Sequence, residues 1–507
     1  SSPVLIEKVR SVSTDGSGQY QIVNLRPGLY TVTFSLSGFT TVRRENIELT
    51  GSNTVTVNAD LTIGNVTETL TVTGESPTVD IQNTQRSTVI SDQVVSALPA
   101  GRSQYAVAVL VPGVTLTSFN GGNQQDVGGT GNMNITVFSV HGSRPLDGRL
   151  MINGLSARNL LSSGWASNFV PHMGTAAEVA METSSGSAEA IGSGFTINVI
   201  PKEGGNAFRG SFFATGANTS FQSNNYTAEL QAKGLASPNE LKRIYDINPA
   251  VGGPILKNRV WFFGSMRWQE STFNYAGAFL NKNLGDPTKW NYEPDLSAPG
   301  EDIKKMPPTG SIRLTVQATP RNKFGFSFEP QSRYWQTASA NQAPEIYSSW
   351  SFQRESMTTA SYSSPITNRL LVDARFGHHA EGFVDDCAPS VDAACAGYGP
   401  TSRKFADAIV VQDLNTGLIY RGNGYCCSAF AIYGTQHAPH IMQAQSSLSY
   451  VTGAHAMKFG WMNDFGTSTS CQYDNTGAMS FRFGGGVTDS AGRSLTPVAI
   501  EQHALPY

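Results

Sequence analysis

Charge is scarce in this 507-residue sequence. Only 14% of the residues are Asp, Glu, Lys or Arg, and 35 basic residues nearly balance 38 acidic ones. A phosphate-binding protein clusters positive charge, so nucleic acid is excluded as a partner class. Long apolar runs are also missing. No stretch reaches the roughly 18 residues that a membrane-spanning helix needs. Membrane-spanning strands stay open, because they show only weak alternation over about 10 residues. Cysteine is rare and confined to the last quarter: Cys387, Cys395, Cys426, Cys427 and Cys471. Their spacing matches no zinc pattern. One or two loop disulfides with an odd thiol would suit an oxidising compartment, with no pairing fixed by the sequence. The chain starts at Ser1 with neither a Met nor a secretory leader, so it reads as a mature form or a fragment.

Glycine, by contrast, is abundant at 51 residues, and aromatics make up 10%. Together with many Ser, Thr and Asn, this suits β structure with frequent turns. The length suits two to four domains of about 150 residues each. The first segment alternates cleanly. Tyr20 and Ile22 share a face, as do Tyr30, Val32, Phe34 and Leu36 after the turn at Arg26-Pro27-Gly28. Val55, Val57 and Leu61 suggest a further strand. A small antiparallel sandwich fits these turns.

The last segment also has a period of two. Ile312, Leu314, Val316 and Ala318 oppose Ser311, Arg313, Thr315 and Gln317. Phe324, Phe326 and Phe328 oppose Lys323, Ser327 and Glu329. Leu370, Val372, Ala374 and Phe376 oppose Asp373 and Arg375, and Met457, Phe459 and Trp461 oppose Lys458. Any half-buried sheet shows such a pattern. The connections are more specific: "ILKN", "TPRN", "SPITN" and "VTGAH" are very short, and the alternate ones are long. Short turns at one end and long loops at the other describe an outer-membrane barrel. Leu314, Val316, Phe326, Leu370, Val372 and Phe459 are then expected to face lipid. Arg313, Gln317, Asp373, Arg375 and Lys458 are expected to face the lumen.

Specific motifs join these segments. Thr14, Asp15, Gly18 and Tyr20, then Pro27, Gly28, Tyr30 and Val32, then Gly38 and Phe39 resemble a carboxypeptidase-regulatory-like domain lacking its opening strand. Further on, Pro112-Gly113-Val114 follows a short helical stretch. His141-Gly142 and Asn153-Gly154 stand where the plug of a TonB-dependent outer-membrane receptor has Arg-Gly and Asp-Gly. "GFTINVIPKEGGN", from Gly194 to Asn206, is similar to the plug's closing motif and carries Asn198, Lys202 and Gly204. The whole chain resembles the Oar-like receptors of this family. The SusC-like glycan importers match less well, for want of a "PLYVIDG" motif.

The resemblance implies an all-β-dominated protein in three parts. An Ig-like β-sandwich, N-terminally incomplete, covers 1–66, and an α+β plug enclosed by later strands covers 76–205. Residues 206–507 then supply about nine or ten strands of an antiparallel transmembrane barrel with long extracellular loops. Family members close about 22 strands around a plugged lumen, so the chain is expected to stop near mid-barrel. Between the first two parts, at 67–75, Glu68, Thr69, Leu70, Thr71, Val72 and Thr73 resemble the TonB box, whose extended backbone adds to a partner's sheet edge. The same residues also suit a plain linker or a last strand of the first domain. The implied partners are TonB, outer-membrane lipid and an unidentified substrate. The implied site is the cell outer membrane, with the first domain and the box in the periplasm. A surface barrel used in adhesion or assembly is the other reading.

No enzyme chemistry stands out, and no cofactor is called for. His378-His379 with Glu381 is not His-Glu-x-x-His. Asp385-Asp386 is a loop pair, and His437 and His440 flank Ala438-Pro439, which disfavours a helix. Gly121-Gly122, Gly128-Gly129 and Gly484-Gly485-Gly486 read as turn glycines, because none follows a strand and opens a helix.

Overall fold

The computed structural model of the chain describes residues 1–507 apart from 3–4, 6–8, 23–24, 26–27, 50–54, 65–68, 73–86, 98–101, 109, 119–135, 144–147, 159–168, 184–194, 285, 338–340, 368, 386–408, 422–432, 453–454, 475–478 and 503–507. In the first part, β1 (Gly28–Phe34) pairs antiparallel with β2 (Thr41–Leu49). The alternation then buries Tyr30 and Ile47 with Leu5, and Val32, Leu49, Val55 and Val57 pack around them. Val55 and Val57 fill this core without joining a ladder. Tyr20 lies edge-on to Phe34, and its hydroxyl donates to the Val57 carbonyl at 2.7 Å. A third strand, β3 (Thr69–Val72), runs parallel to β2 and stands at the sheet's edge.

The second part contains β4 (Ser87–Ser91), α1 (Asp92–Ala97), α2 (Gln104–Ala108), β5 (Val114–Ser118), β6 (Thr136–Val140), β7 (Arg149–Ile152), β8 (Leu155–Ser156), β9 (Ala176–Glu182) and β10 (Thr196–Pro201). Five of these strands form one sheet in the order β4-β9-β10-β7-β8, and β5 and β6 form a separate hairpin. The alternation around β10 puts Phe195, Ile197 and Val199 into a core with Val179, Met181 and Val107. That core also takes in Met357 from the wall described next.

The wall is a single nine-stranded antiparallel sheet. Its strands are β11 (Arg209–Asn218), β12 (Glu240–Leu256), β13 (Val260–Asn281), β14 (Pro294–Gln317), β15 (Lys323–Thr337), β16 (Ser348–Pro365), β17 (Leu370–Asp385), β20 (Tyr433–Thr452) and β21 (His455–Asp474). A short helix, α3 (Ala228–Ala232), lies between β11 and β12. Each wall strand pairs with the next, and the short connections at 257–259, 318–322, 366–369 and 453–454 all fall at one end.

Register sorts the two faces. Val316, Leu314 and Ile312 lie opposite Phe324, Phe326 and Phe328. Leu370 and Val372 lie opposite Tyr450 and Leu448, and Phe459 follows on across Leu448. This face is apolar and bare, with Ile312 45%, Phe326 44% and Phe459 65% exposed, as a lipid-facing band requires. The other face meets the second part. Arg313 and Lys323 pair with Glu203 at 3.1 and 2.9 Å, and Arg375 donates to the Asn153 carbonyl at 3.2 Å. The lumen-facing assignment of Arg313 and Arg375 therefore rests on direct contacts. Gln317, Asp373 and Lys458 share their parity.

At the loop end the chain builds a folded cap that the alternation did not reveal. β18 (Val410–Asp413) and β19 (Ile419–Tyr420) form a hairpin between β17 and β20. β22 (Met479–Phe483) and β23 (Pro497–Gln502) follow β21, and β18 pairs parallel with β22. Tyr292, Tyr420, Val411 and Phe483 form its core. The Arg421 guanidinium donates to the carbonyls of Asn283, Asp286 and Lys289 and stacks on Trp290 at 4.3 Å.

The sorted faces give a depth-dependent expectation. In vesicle-refolded full-length protein, Ile312→Arg should cost about 2–4 kcal/mol of folding free energy, and Val316→Arg, nearer the turn end, about 0–1 kcal/mol. Urea titration reads both; equal and negligible costs would remove the lipid-facing assignment.

Candidate functional site between plug and wall

Wall side chains grip the backbone of the plug that packs on the wall's inner face. Fully buried Arg267 on β13 donates to both Asp246 oxygens at 3.1 and 2.8 Å. It also donates to the Arg102 carbonyl at 2.8 Å and the Pro171 carbonyl at 3.4 Å. Gln331 on β15 accepts from the Val170 amide at 3.1 Å and donates to the Val170 carbonyl at 2.5 Å. Glu329 accepts from the His172 amide, and Asn248 from the Gly174 amide, both at 3.0 Å. A Cβ on Gly174 would come within 2.3 Å of the Asn248 oxygen, so glycine is needed for that approach. The buried His172 ring bridges Ser265 and Thr309, each at 3.1 Å. Burial, and then the Arg267 charge, push its pKa down to about 3, so the ring is neutral.

A second grip holds the turn between β7 and β8. Asn153 and Gly154 both take left-handed conformations, with φ of 53° and 79°. The Gly154 amide donates to the Asn198 side chain at 2.9 Å. Arg375 and Gln445 donate to the Asn153 and Gly154 carbonyls, and Gln443 accepts from the Ser156 amide at 2.8 Å. Arg158 pairs with Asp464 at 2.9 Å.

The structure thus brings Asn153, Gly154 and Asn198 together at the wall. Lys202 pairs instead with Asp92 at 2.9 Å and caps the Gly174 carbonyl at 3.3 Å. Gly204 lies flat on β13, where a Cβ would sit 2.2 Å from the Phe262 carbonyl. His141-Gly142 is a separate left-handed pair whose ring packs on Gly113. Thr69, Leu70, Thr71 and Val72 form the edge strand β3; Glu68 and Thr73 lie outside the described residues. The first part docks on the turn end of the wall, where Asp15 and Ser17 receive hydrogen bonds from Arg369 at 2.6 and 2.7 Å. Hydrogen bonds from Ser17, Gln19 and Arg369 hold the Asp15 carboxyl well below the usual range.

Among the remaining candidates, His378 and His440 stack on the wall's outer face. His379 and Glu381 point inward and meet Glu355 across the β16–β17 ladder. Asp385 ends β17, Gly485 and Gly486 have turn-like positive φ, and His437 lies in β20. Asp386, Cys387, Cys395, Cys426, Cys427, Gly121, Gly122, Gly128 and Gly129 lie outside the described residues. Sequence reading put Glu329 on the polar face without a partner and missed Arg267, Gln331 and Gln443; the plug partners of all four are more than 90 residues away. Their position on the non-lipid parity was the available signal. The site is a set of wall side chains hydrogen-bonded to the plug's backbone.

Comparison with known proteins agrees with this architecture. The carboxypeptidase regulatory-like domain family matches residues 4–62, and an outer membrane beta barrel domain family matches residues 200–284. The TonB-dependent transporter Oar of Myxococcus xanthus is 26% identical over 270 residues, covering 50% of this chain and 23% of that protein. The solved outer membrane transporter YddB from Escherichia coli superposes with a TM-score of 0.52 at 11% identity, covering 81% of this chain and 51% of that one. FpvA of P. aeruginosa, solved with heterologous pyoverdines, has a TM-score of 0.46 at 13% identity, covering 78% and 44%. The chain therefore spans about a quarter of the curated relative and about half of the solved transporter. It is a homologue of the Oar transporter with the fold of a TonB-dependent receptor, and its place is the outer membrane.

Two outcomes follow from these contacts. Asp246→Ala should destabilise the plug–wall seam by about 3–5 kcal/mol, because it leaves Arg267 charged, buried and unpaired. Hydrogen exchange at the Val170 to Gly174 amides measures this, and adding Arg267→Met should recover much of the loss. The Asp15 pKa is depressed first by hydrogen bonds from Ser17 and Gln19 and then by Arg369, so the stability its ionised form gives is complete above the free carboxyl value of about 3.9 and is lost as pH falls below that. A spin-label distance between the first part and the wall should be constant from pH 7 to pH 5 and lengthen below about pH 3.

Proposed function

We propose that this chain belongs to an energised importer of the outer membrane, in which TonB pulls on Glu68–Thr73 and displaces the plug to admit a substrate. On this reading 1–66 is a periplasmic regulatory-like domain, 67–75 the coupling linker, 76–205 the plug and 206–507 barrel wall with extracellular loops. Outer-membrane lipid surrounds the apolar face. The observation that carries the reading is the seam itself. Gln331, Gln443, Asn248 and Arg267 hold the plug through hydrogen bonds to its backbone. A typical bond of this kind contributes about 0.5–1.5 kcal/mol, so the set can be released stepwise under load.

The coupling element suits the partner. β3 uses one edge for β2, and among the described residues its other edge has no strand on it. An extended segment of a partner can add there through main-chain hydrogen bonds. Chemistry that recognises the substrate would lie in the cap and in the plug surface beneath it. The homologues are transporters and receptors, which supports a transport role over a catalytic one.

The test uses full-length protein in cells. Leu70→Pro or Val72→Pro removes a backbone donor from β3 and should abolish energised uptake. Binding at the cell surface should persist, because the cap is at the opposite end of the wall. Retained uptake in both variants would make the segment a linker and favour the adhesion or assembly role.

A further inference from the structure

Glu355, His379 and Glu381 converge inside the wall, all 1% exposed. One ring nitrogen and two carboxylate oxygens there lie within 4.8 Å of one another. Register explains the meeting: Glu355 and Glu381 are direct cross-strand partners, and His379 is on the same face two residues before Glu381. Two carboxylates directly opposite each other repel unless something positive stands between them.

Hydrogen bonding fixes what each atom offers. The His379 Nδ1 lies 2.8 Å from the carbonyl of Arg158 on the plug. A carbonyl only accepts, so Nδ1 carries the proton and Nε2 presents a lone pair. That Nε2 is buried and has no hydrogen-bond partner among the described residues. It stands 3.7 Å from Glu381 Oε2, too far for a hydrogen bond. Arg333 donates twice to Glu355 Oε2, at 3.0 and 2.7 Å, and leaves Oε1 with no partner. The bare acceptors His379 Nε2 and Glu355 Oε1 therefore lie together in a dry place, and such an arrangement needs an electrophile at its centre.

We propose that Glu355, His379 and Glu381 form a divalent metal site, suited to Zn²⁺, that fastens the wall to the plug. Imidazole and carboxylate are zinc ligands, with bonds of about 2.0–2.2 Å. Neighbouring ligand atoms in such a tetrahedron stand about 3.4 Å apart, close to the His379–Glu381 separation. The Arg158 carbonyl supplies the outer partner that zinc-bound histidines characteristically have. It belongs to the plug, so the metal charge strengthens a plug–wall bond through the ring.

Full-length protein extracted in mild detergent is stripped with a chelator and then titrated with Zn²⁺ or Co²⁺. One Zn²⁺ per folded chain is expected, and Co²⁺ should give visible absorption of a low-coordinate N,O site. Glu381→Gln and His379→Gln should weaken binding at least about 100-fold, because loss of an outer partner alone costs about 10–100-fold. His440→Gln, which alters only the outer face, should bind as the parent does. Heat-modified gel mobility confirms that each variant is folded. If a variant fails to fold, X-ray absorption of the Co²⁺-loaded parent must still show a single imidazole. Stoichiometry in the folded parent no higher than in Glu381→Gln, or a metal without imidazole, overturns the proposal and leaves a shared proton as the cluster's charge.

Discussion

Everything in this molecule follows from one constraint: a wall whose outer face is apolar must turn its polar side chains inward, away from lipid. Once inside, Asn248, Arg267, Glu329, Gln331 and Gln443 need partners, because an unpaired buried polar group costs about 1–3 kcal/mol. The plug supplies them as backbone amides and carbonyls at Arg102, Ser156, Val170, Pro171, His172 and Gly174. The plug keeps its apolar side chains in a core of its own, in which Met357 is the one buried wall residue among the described residues. The two bodies are thus joined mainly by hydrogen bonds, which water can replace one at a time.

The parts of the fold carried by local patterns were legible in the sequence. A period of two assigns Ile312, Phe326 and Phe459 to one face before any strand partner is known. Turn lengths sort the ends of the wall, and the Asn153-Gly154 dyad marks a turn because both residues take positive φ readily. Features set by register across distant strands stayed hidden. Glu355 meets Glu381 because β16 and β17 pair in one unbroken register from Pro365–Leu371 to Arg354–Gly382. The cap was invisible for the same reason, since its strands are short and their partners lie in other loops.

The strand β3 shows both sides of this. Its β propensity was plain from Thr69–Val72, and its placement depended on whether a sheet edge was near. β2 offers that edge, with Thr41 opposite Thr69 and Arg44 opposite Val72. Among the described residues the segment is held by one neighbour along a short ladder, so it belongs to the weakly protected end of the molecule. The Asp15–Arg369 pair ties the first part to the turn end of the wall.

The parallel pairing of β18 with β22 sets an order of events during maturation. Val410 meets Ser480 and Asp413 meets Phe483 across a chain separation that contains the entire β20–β21 hairpin. Closing so long a loop is entropically expensive until the intervening strands have fixed its ends. Loop-closure entropy therefore favours a cap that assembles on a wall already in place. The aromatic surfaces of Tyr292, Tyr420 and Phe483 stay uncovered through the earlier steps, which is when a folding chaperone would have most to bind.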